Sequence, residues 1–295
     1  MQSGSPESLF DGLDQPATAP PARVDGAFIR EVTCRTVLNR CDIGDYSFNC
    51  YVGCSHGCGY CYARFMQRFR PHDEPWGEFV DVKINAAEAL ARQLRRTPPG
   101  SVFTCSACDG WQAAERHYEL TRRCCRLLLQ AGFRLTVLTK SDLVLRDLDI
   151  LAGRDVCLGV TITTPDEQAA RVWEPTASSV AARIEVLRAA KSAGVETSVM
   201  FGPLLPELSD TPEALDRLFN LARKADVDRI WTDILNPRPR VWAGVQEIVR
   251  SHWPDLLGRY RGLLFDSHLR QAYRVGLRRS IRRAAEAHGL LDKLA

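Results

Sequence analysis

The feature that most constrains the fold is a repeated alternation of short β-rich runs with longer segments in which apolar residues recur at spacings of three and four. The latter spacing is that of one face of an α-helix. Strands separated by helices form βαβ units and hence a parallel sheet. Six strands are too few for a closed eight-stranded barrel, whereas a six-stranded open barrel fits the count. The predicted strands are 48–53, 101–105, 134–139, 156–163, 196–201 and 229–235, and the predicted helices are 86–96, 114–129, 142–152, 178–193 and 211–225.

The ends of the chain differ from this alternating region. Residues 1–24 are rich in Ser, Pro, Gly and Ala, which predicts a disordered tail. We assign residues 25–240 to the barrel domain and 241–295 to a helical C-terminal extension. A basic leader, an apolar signal core and an apolar run of about 18 residues are all missing, so we expect a cytoplasmic protein without a membrane span.

Eleven cysteines are many for such a protein, and their number is odd. In a reducing compartment clustered cysteines bind metal or react, whereas scattered ones serve as small core residues. We interpret six as core residues, namely Cys34, Cys41, Cys50, Cys124, Cys125 and Cys157. The clustered ones are Cys54, Cys58, Cys61, Cys105 and Cys108.

The segment YVGCSHGCGYCY, residues 51–62, places Cys54, Cys58 and Cys61 at C-x3-C-x2-C spacing on a loop that follows the first predicted strand. The glycines between them permit the tight turns needed to wrap three thiolates around one cluster. Iron–sulfur clusters are normally held by four thiolates, so three would leave one iron open. The alternative is a structural zinc site completed by His56 or a distant cysteine, for which this spacing is unusual.

This spacing resembles that of the radical S-adenosylmethionine (SAM) superfamily. The surrounding phrases are similar to its spore photoproduct lyase-like branch, over about residues 34–242. They are DYSFN at 45–49, YVGC at 51–54, CYARFM at 61–66, LTKS at 138–141, VLRD at 144–147 and NPRPRVW at 236–242. The resemblance implies a partial (β/α)6 TIM-like barrel of parallel strands with a [4Fe–4S] cluster on Cys54, Cys58 and Cys61.

The resemblance also implies the cofactor chemistry. S-adenosylmethionine would chelate the open iron, and an electron from an external donor such as flavodoxin or ferredoxin would split it into methionine and a 5′-deoxyadenosyl radical. That radical removes hydrogen from a substrate. Lys140 and Ser141, at the end of the third strand, and Thr163, at the end of the fourth, are candidates for binding the cofactor.

Two tyrosines flank Cys61. By resemblance to photoproduct lyases, in which tyrosines near the cluster relay hydrogen, Tyr62 is a candidate catalytic residue and Tyr60 a candidate cofactor contact. Packing beside the cluster is the alternative for both.

The chain departs from its relatives' pattern at TCSACDGWQ, residues 104–112. Photoproduct lyases carry a hydrogen-donating cysteine three residues before the matching aspartate, a position occupied here by Ser106. We predict catalytic roles for Cys105, Cys108 and Asp109, with Cys108 as the better hydrogen donor. Because a one-residue shift turns a strand side chain to the other face, Cys105 does not simply inherit the donor role. The alternatives are an auxiliary Fe–S cluster, a sulfur carrier, or small residues without chemistry.

Eight arginines lie between residues 259 and 283 with few acids among them. Such a stretch can bind phosphates or can form a solvated helix face, and its scarcity of aromatic residues disfavours nucleic acid.

Three functions are therefore compared. The favoured one is a radical enzyme that acts on a small molecule of nucleoside or sugar-like type, through epimerisation, rearrangement or sulfur insertion. The second is repair of thymine lesions in DNA, and the third is a non-enzymatic module stabilised by zinc or an inert cluster. Fold and motif alone do not select the substrate.

Overall fold

The main sheet of the protein, in a computed structural model that describes residues 23–68, 71–235 and 240–295, has seven strands in the order β11-β10-β9-β8-β7-β4-β3. Six of them, β4 and β7 to β11, run parallel, and β3 pairs antiparallel with β4. The predicted partial barrel of six parallel strands is thereby confirmed. The strands are β1 (Arg23–Val24), β2 (Ala27–Val32), β3 (Leu38–Arg40), β4 (Tyr46–Phe48), β5 (Tyr51–Val52), β6 (Phe79–Lys83), β7 (Ser101–Thr104), β8 (Arg134–Thr139), β9 (Val156–Thr161), β10 (Glu196–Leu204) and β11 (Arg229–Ile234).

The first barrel strand was placed wrongly at 48–53, because that run merges two strands. β4 ends at Phe48, and β5 pairs with β6 in a second sheet of order β1-β2-β6-β5 that the sequence did not predict. Asn49 and Cys50 form the crossover, and the Cys50 carbonyl accepts a hydrogen bond from Lys83 N (3.0 Å). Arg23 and Val24, assigned to the tail, form β1, and residues 1–22 lie outside the described part of the chain.

The helices follow the predicted alternation with two interruptions. Glu119, at φ +47°, ends one helix and begins the next, and the predicted helix 142–152 starts as a 3-10 helix, Asp142–Asp147. One helix, α5, was not predicted. The helices are α1 (Ala86–Leu94), α2 (Glu115–Tyr118), α3 (Leu120–Gln130), α4 (Leu148–Leu151), α5 (Glu167–Trp173), α6 (Val180–Ser192), α7 (Pro212–Lys224), α8 (Val241–His252), α9 (Leu257–Phe265) and α10 (Ser267–Ala287), with further 3-10 turns at Tyr62–Arg68, Pro254–Leu256 and Leu291–Lys293.

The C-terminal segment is helical, and α8 packs directly against the loop that carries the three motif cysteines. Val241, Val245 and Val249 of α8 share a buried apolar cluster with Cys58 and Trp173. Four residues of the NPRPRVW phrase, 236–239, are outside the described residues. In the described part of the chain, no helix combines the length and apolar character that a membrane crossing requires.

We predict that Gly244→Ala destabilises the protein although alanine favours helices. A Cβ at position 244 would overlap the Gly59 carbonyl oxygen, which is backbone and cannot swing aside. Overpacking of this kind costs about 1–3 kcal/mol. The free energy of unfolding, measured by urea denaturation, should fall accordingly.

The matched control is Gly276→Ala in α10, where an added Cβ meets no atom within 4 Å. That substitution should raise stability by about 0.5–1 kcal/mol. Equal effects of the two substitutions would contradict close packing of α8 on the cysteine loop.

Candidate active site

A cavity of about 150 Å³ lies at the carboxyl edge of the main sheet, beside the cysteine loop. Its wall combines the cysteine loop, which follows β5, with residues at or just after the ends of β7, β8 and β9. The carboxyl ends of strands are where functional side chains gather in parallel α/β folds. The lining residues are Cys54, His56, Cys58, Cys61, Tyr62, Ala63, Phe103, Cys105, Ser106, Ala107, Cys108, Asp109, Leu138, Thr139, Lys140 and Thr161.

Glycines shape the cysteine loop for two different reasons. Gly53 and Gly57 have φ values of +89° and +63°, a region that L side chains rarely adopt. Gly59 has no such φ, but a Cβ there would overlap Ile248 Cδ1 of α8. The expectation of tight turns therefore holds at the first two positions, whereas Gly59 provides space for a helix.

The loop is held on both sides by hydrogen bonds. The buried Gln112 side chain accepts a hydrogen bond from Ser55 N (2.8 Å) and donates one to the Gly53 carbonyl (3.2 Å). On the other side Thr176 Oγ1 donates to the Ser55 carbonyl (2.5 Å), and Gly59 N donates to the Trp173 carbonyl (2.9 Å). The three cysteines therefore start from a fixed backbone.

The donor set and its placement fit a cluster that binds through separate irons. Cys54 and Cys58 are buried, Cys61 is half-buried, and all three line the one cavity. Across residues 23–68, 71–235 and 240–295, no three His, Cys, Asp or Glu side chains converge as a single metal ion would require. A tetrahedral zinc site needs such convergence, whereas a [4Fe–4S] cluster presents a different iron to each thiolate.

Asp109 connects the cysteine loop to the ends of two strands. Its Oδ1 accepts hydrogen bonds from Trp111 N (2.9 Å) and Thr139 Oγ1 (2.7 Å), and its Oδ2 accepts one from Lys140 N (2.8 Å). His56 Nδ1 lies 3.4 Å from the same Oδ2. Burial alone would raise the pKa of Asp109, but His56 and these donors hold it well below its usual range.

His56 is held as a cation by the same contact. Burial by itself lowers the pKa of His56, but the charges of Asp109 and Cys54 outweigh it and raise the pKa to about 10. In this position His56 interacts with a carboxylate and with a cysteine of the motif.

Cys105 and Cys108 both line the cavity, and their side chains hydrogen-bond to each other. Cys105 was expected to be a strand residue whose side chain alternates with that of Ser106. In the structure β7 ends at Thr104, and Cys105 adopts φ +56°, so the alternation of a strand does not apply to it. Cys108 Sγ also donates to Asn49 Oδ1 (3.7 Å). The hydrogen bond that Cys108 donates to Cys105, together with burial, raises the pKa of Cys108, so its thiol keeps its hydrogen. No further metal-ligating side chains join the pair in the described structure, and the auxiliary cluster gains no support.

Tyr62 and Lys140 also reach the cavity. The Tyr62 hydroxyl donates to the Ser106 carbonyl, and its side chain is 39% exposed, so it stands at the cavity rim. Lys140 Nζ lies 5.7 Å from the centre of the Tyr60 ring and has no hydrogen-bonded carboxylate among the described residues.

The other three predicted cofactor contacts have protein partners away from the cavity lining. The Tyr60 hydroxyl donates to Glu174 and lies 2.9 Å from Thr163 Oγ1, and Glu174 pairs with buried Arg183 (2.5 Å). Ser141 Oγ accepts a hydrogen bond from Leu143 N (3.2 Å) and caps the 3-10 helix. Their role in binding the cofactor stays a prediction. In this structure they do not line the cavity, and their side chains hydrogen-bond to other protein groups.

Sequence reasoning missed the residues that position the site. Asn49 lies inside a quoted family phrase just after a strand end, and Gln112 ends the phrase in which the chain departs from its relatives, so both amides could have been noticed. Glu174 and Gly244 were not singled out, because the site residues that they contact, Tyr60 and Gly59, are more than 100 residues away in the chain.

We predict that Gln112→Ala loosens the cysteine loop. The change leaves the Ser55 N–H and the Gly53 carbonyl buried without their partner, at a cost of about 1–3 kcal/mol for each group. After anaerobic reconstitution, iron and sulfide per chain should fall below wild type, and the thermal midpoint should drop. Gln93→Ala, which removes comparable amide bonds at Val37 and Leu38 away from the cavity, should lower stability but keep the iron content. Full iron loading of the Gln112 variant would contradict the view that Gln112 holds the cysteine loop in place for the cluster.

Comparison with known proteins agrees with this geometry. The Radical SAM superfamily model matches residues 48–235, which is more than half of the chain. The uncharacterized protein Rv2578c of Mycobacterium tuberculosis is 32% identical over 287 residues, covering 92% of this chain and 83% of that protein. The uncharacterized protein MJ0683 of Methanocaldococcus jannaschii is 31% identical over 166 residues, covering 56% of this chain and 62% of that protein.

Among solved structures, a mutant of spore photoproduct lyase matches with a TM-score of 0.64 at 15% identity, covering 89% of this chain and 80% of the lyase. Spore photoproduct lyase complexed with dinucleoside spore photoproduct matches with a TM-score of 0.58 at 16% identity, covering 77% of this chain and 66% of the lyase. At this identity the likeness establishes a shared fold. With the partial barrel, the three-cysteine loop and the family match together, the chain belongs to the radical SAM superfamily of enzymes.

Proposed function

We propose that this protein cleaves S-adenosylmethionine at a [4Fe–4S] cluster and removes hydrogen from a small molecule of nucleoside or sugar type. The observation that carries the proposal is that one cavity is lined by Cys54, Cys58 and Cys61 and also by the thiols of Cys105 and Cys108. When bound, the cluster and S-adenosylmethionine supply a 5′-deoxyadenosyl radical, and the protein positions and shields it.

The cavity wall contributes charge and rigidity. Lys140 lines the cavity and its ammonium group is hydrogen-bonded to no carboxylate of the described residues, so it suits the carboxylate of S-adenosylmethionine. Asp109, whose oxygens already accept hydrogen bonds from Trp111 N and from Thr139 and Lys140 at the end of β8, acts as a positioning residue. A fixed wall of this kind keeps reacting groups in place without reorganisation.

Cys108 is proposed to return a hydrogen atom to the product radical, which breaks its S–H bond and leaves a thiyl radical. One electron from the external donor and one proton restore the thiol. It lines the cavity, its raised pKa keeps it a thiol, and Cys105 is its hydrogen-bonded neighbour. Among the three reaction types, epimerisation requires such a donor, because hydrogen leaves one face of a carbon and returns to the other.

Charge at the cavity favours a small substrate over DNA. Of the lining residues in the described structure, Lys140 is the one lysine or arginine, and His56 is engaged with Asp109. A site for a DNA strand would place several cations along the phosphates. Repair of thymine lesions stays the second candidate, because spore photoproduct lyase shares the fold.

The substrate class can be tested directly with the reconstituted, reduced enzyme. Nucleosides and nucleotide sugars are supplied singly, and dinucleoside spore photoproduct is supplied in parallel. We expect a nucleoside or sugar derivative to be consumed together with formation of 5′-deoxyadenosine. Conversion of the dinucleoside lesion alone would favour the repair hypothesis.

Cys58→Ala should abolish 5′-deoxyadenosine formation, since two thiolates cannot hold the cluster in a reactive state. The product is measured by liquid chromatography after reduction with dithionite, alongside iron and sulfide content. Cys41→Ala, which removes a half-buried thiol outside the cavity lining, should form it at the wild-type rate. Zinc in place of iron and sulfide in the wild-type protein would overturn the radical mechanism.

Cys108→Ala should still cleave S-adenosylmethionine but should not finish the normal product. In deuterium oxide the wild-type enzyme should place one solvent deuterium in the product, because thiol hydrogens exchange with water, and the variant should place none. Cys108→Ser keeps the size and polarity but has an O–H bond too strong to give up hydrogen, so it should behave like alanine. Normal labelled product from either variant would discard the donor role.

A further inference from the structure

A groove of about 640 Å³ runs between α8 and α9 on the outside of the C-terminal extension. One wall is Trp242, Gln246 and Arg250, and the other is Leu257, Arg261 and Phe265, each set spaced by four residues along one helix face. The Trp242 and Phe265 rings meet edge to face with centroids 5.5 Å apart and close one end. We call this feature the α8–α9 groove.

The α8–α9 groove lies on the helix that touches the cysteine loop. On its inner side α8 contacts that loop through Gly244 and Ile248, both packed on Gly59 between Cys58 and Cys61. Trp242 and Leu257 pack on the same apolar cluster as Cys58. Since a helix with its side chains is ~10–12 Å across, an occupant of the groove lies about one helix thickness from the loop.

The charge of the groove is one-sided. Arg250 and Arg261 are exposed and make no ion pair with any described residue, and none of the six lining residues is acidic. Glu247 is on the adjacent face of α8, where it acts on Arg64, and Asp266 beyond the groove caps α10. A cationic rim beside the exposed Phe265 ring and the half-buried Trp242 ring suits an acidic protein surface, because depletion of acids and enrichment of aromatics and Arg is typical of interfaces.

We propose that the α8–α9 groove docks an acidic one-electron carrier protein of the flavodoxin or ferredoxin type. The proposal rests on the proposed function, which needs one electron per S-adenosylmethionine cleaved. In the transfer the carrier's cofactor loses one electron and the cluster gains it, and no bond forms or breaks. The cavity face of the loop is reserved for S-adenosylmethionine and substrate, so the carrier must approach from another side.

The exposed arginines of α10 are a weaker candidate for the same partner. Arg274, Arg278 and Arg282 line a helix that packs on α7 and carries no exposed aromatic ring beside them. The α8–α9 groove combines charge, aromatic surface and contact with the cysteine loop. Electron-transfer complexes are small and transient, and a groove of this size with a charged rim meets that need.

The test is a double charge reversal, Arg250→Glu with Arg261→Glu, in the reconstituted full-length enzyme. A matched control, Arg92→Glu with Arg96→Glu, makes the same change in net charge at two exposed arginines of another surface at the end of α1. The probes are an acidic bacterial flavodoxin and an acidic [2Fe–2S] ferredoxin. Binding is measured by calorimetry at two ionic strengths, and 5′-deoxyadenosine is measured with either carrier or with dithionite as the reductant.

We expect at least one carrier to bind the wild-type enzyme, more weakly at higher salt. The groove variant should lose carrier affinity and carrier-driven turnover by about tenfold or more, and it should keep its dithionite-driven turnover. The control variant, which has the same net charge, should lose much less of either. Equal loss in both variants, unchanged binding in the groove variant, or no binding of either carrier to wild type would overturn the docking site. Absence of dithionite-driven turnover in the wild type would instead count against the proposed function.

Discussion

The arrangement of the site depends on one buried carboxylate. Asp109 follows β7, accepts hydrogen bonds from the end of β8 through Thr139 and Lys140, and lies beside His56 of the cysteine loop. A buried charge is stable only when it is paired and hydrogen-bonded, so the Asp109 carboxylate needs each of these contacts to stay ionised inside the protein. The same interaction fixes where the thiol of Cys108, the preceding residue, meets the cavity.

The cysteine loop is a shared boundary between two surfaces of the protein. Toward the barrel, Gln112 holds its backbone and the cavity opens beside its thiols. Toward solvent, Gly59 and Gly244 bring α8 into backbone contact with it. Because close packing on both sides keeps the loop in a fixed position, the loop separates the face where substrate is proposed to react from the face where electrons are proposed to enter.

Sequence reasoning succeeded where a signal is local. Hydrophobic periodicity located five of the barrel strands closely, and the cysteine spacing led to the superfamily. It failed where two elements share one continuous run. The stretch from Phe48 to Gly53 was taken as one strand, but Asn49 and Cys50 carry the chain from one sheet to another. Periodicity cannot register such a change, because partner choice is a long-range property.

By itself, the sequence determined the alternating α/β pattern and the cysteine spacing that predicts cluster ligation, since both depend on residue types a few positions apart. Only the tertiary structure decided that Cys105 and Cys108 share one wall, through the left-handed backbone of Cys105 just after β7 ends. It alone also decided that Tyr60 turns to Glu174 and that α8 reaches Gly59. These contacts join segments far apart in the chain, and their energy comes from close packing and buried hydrogen bonds that no local pattern encodes.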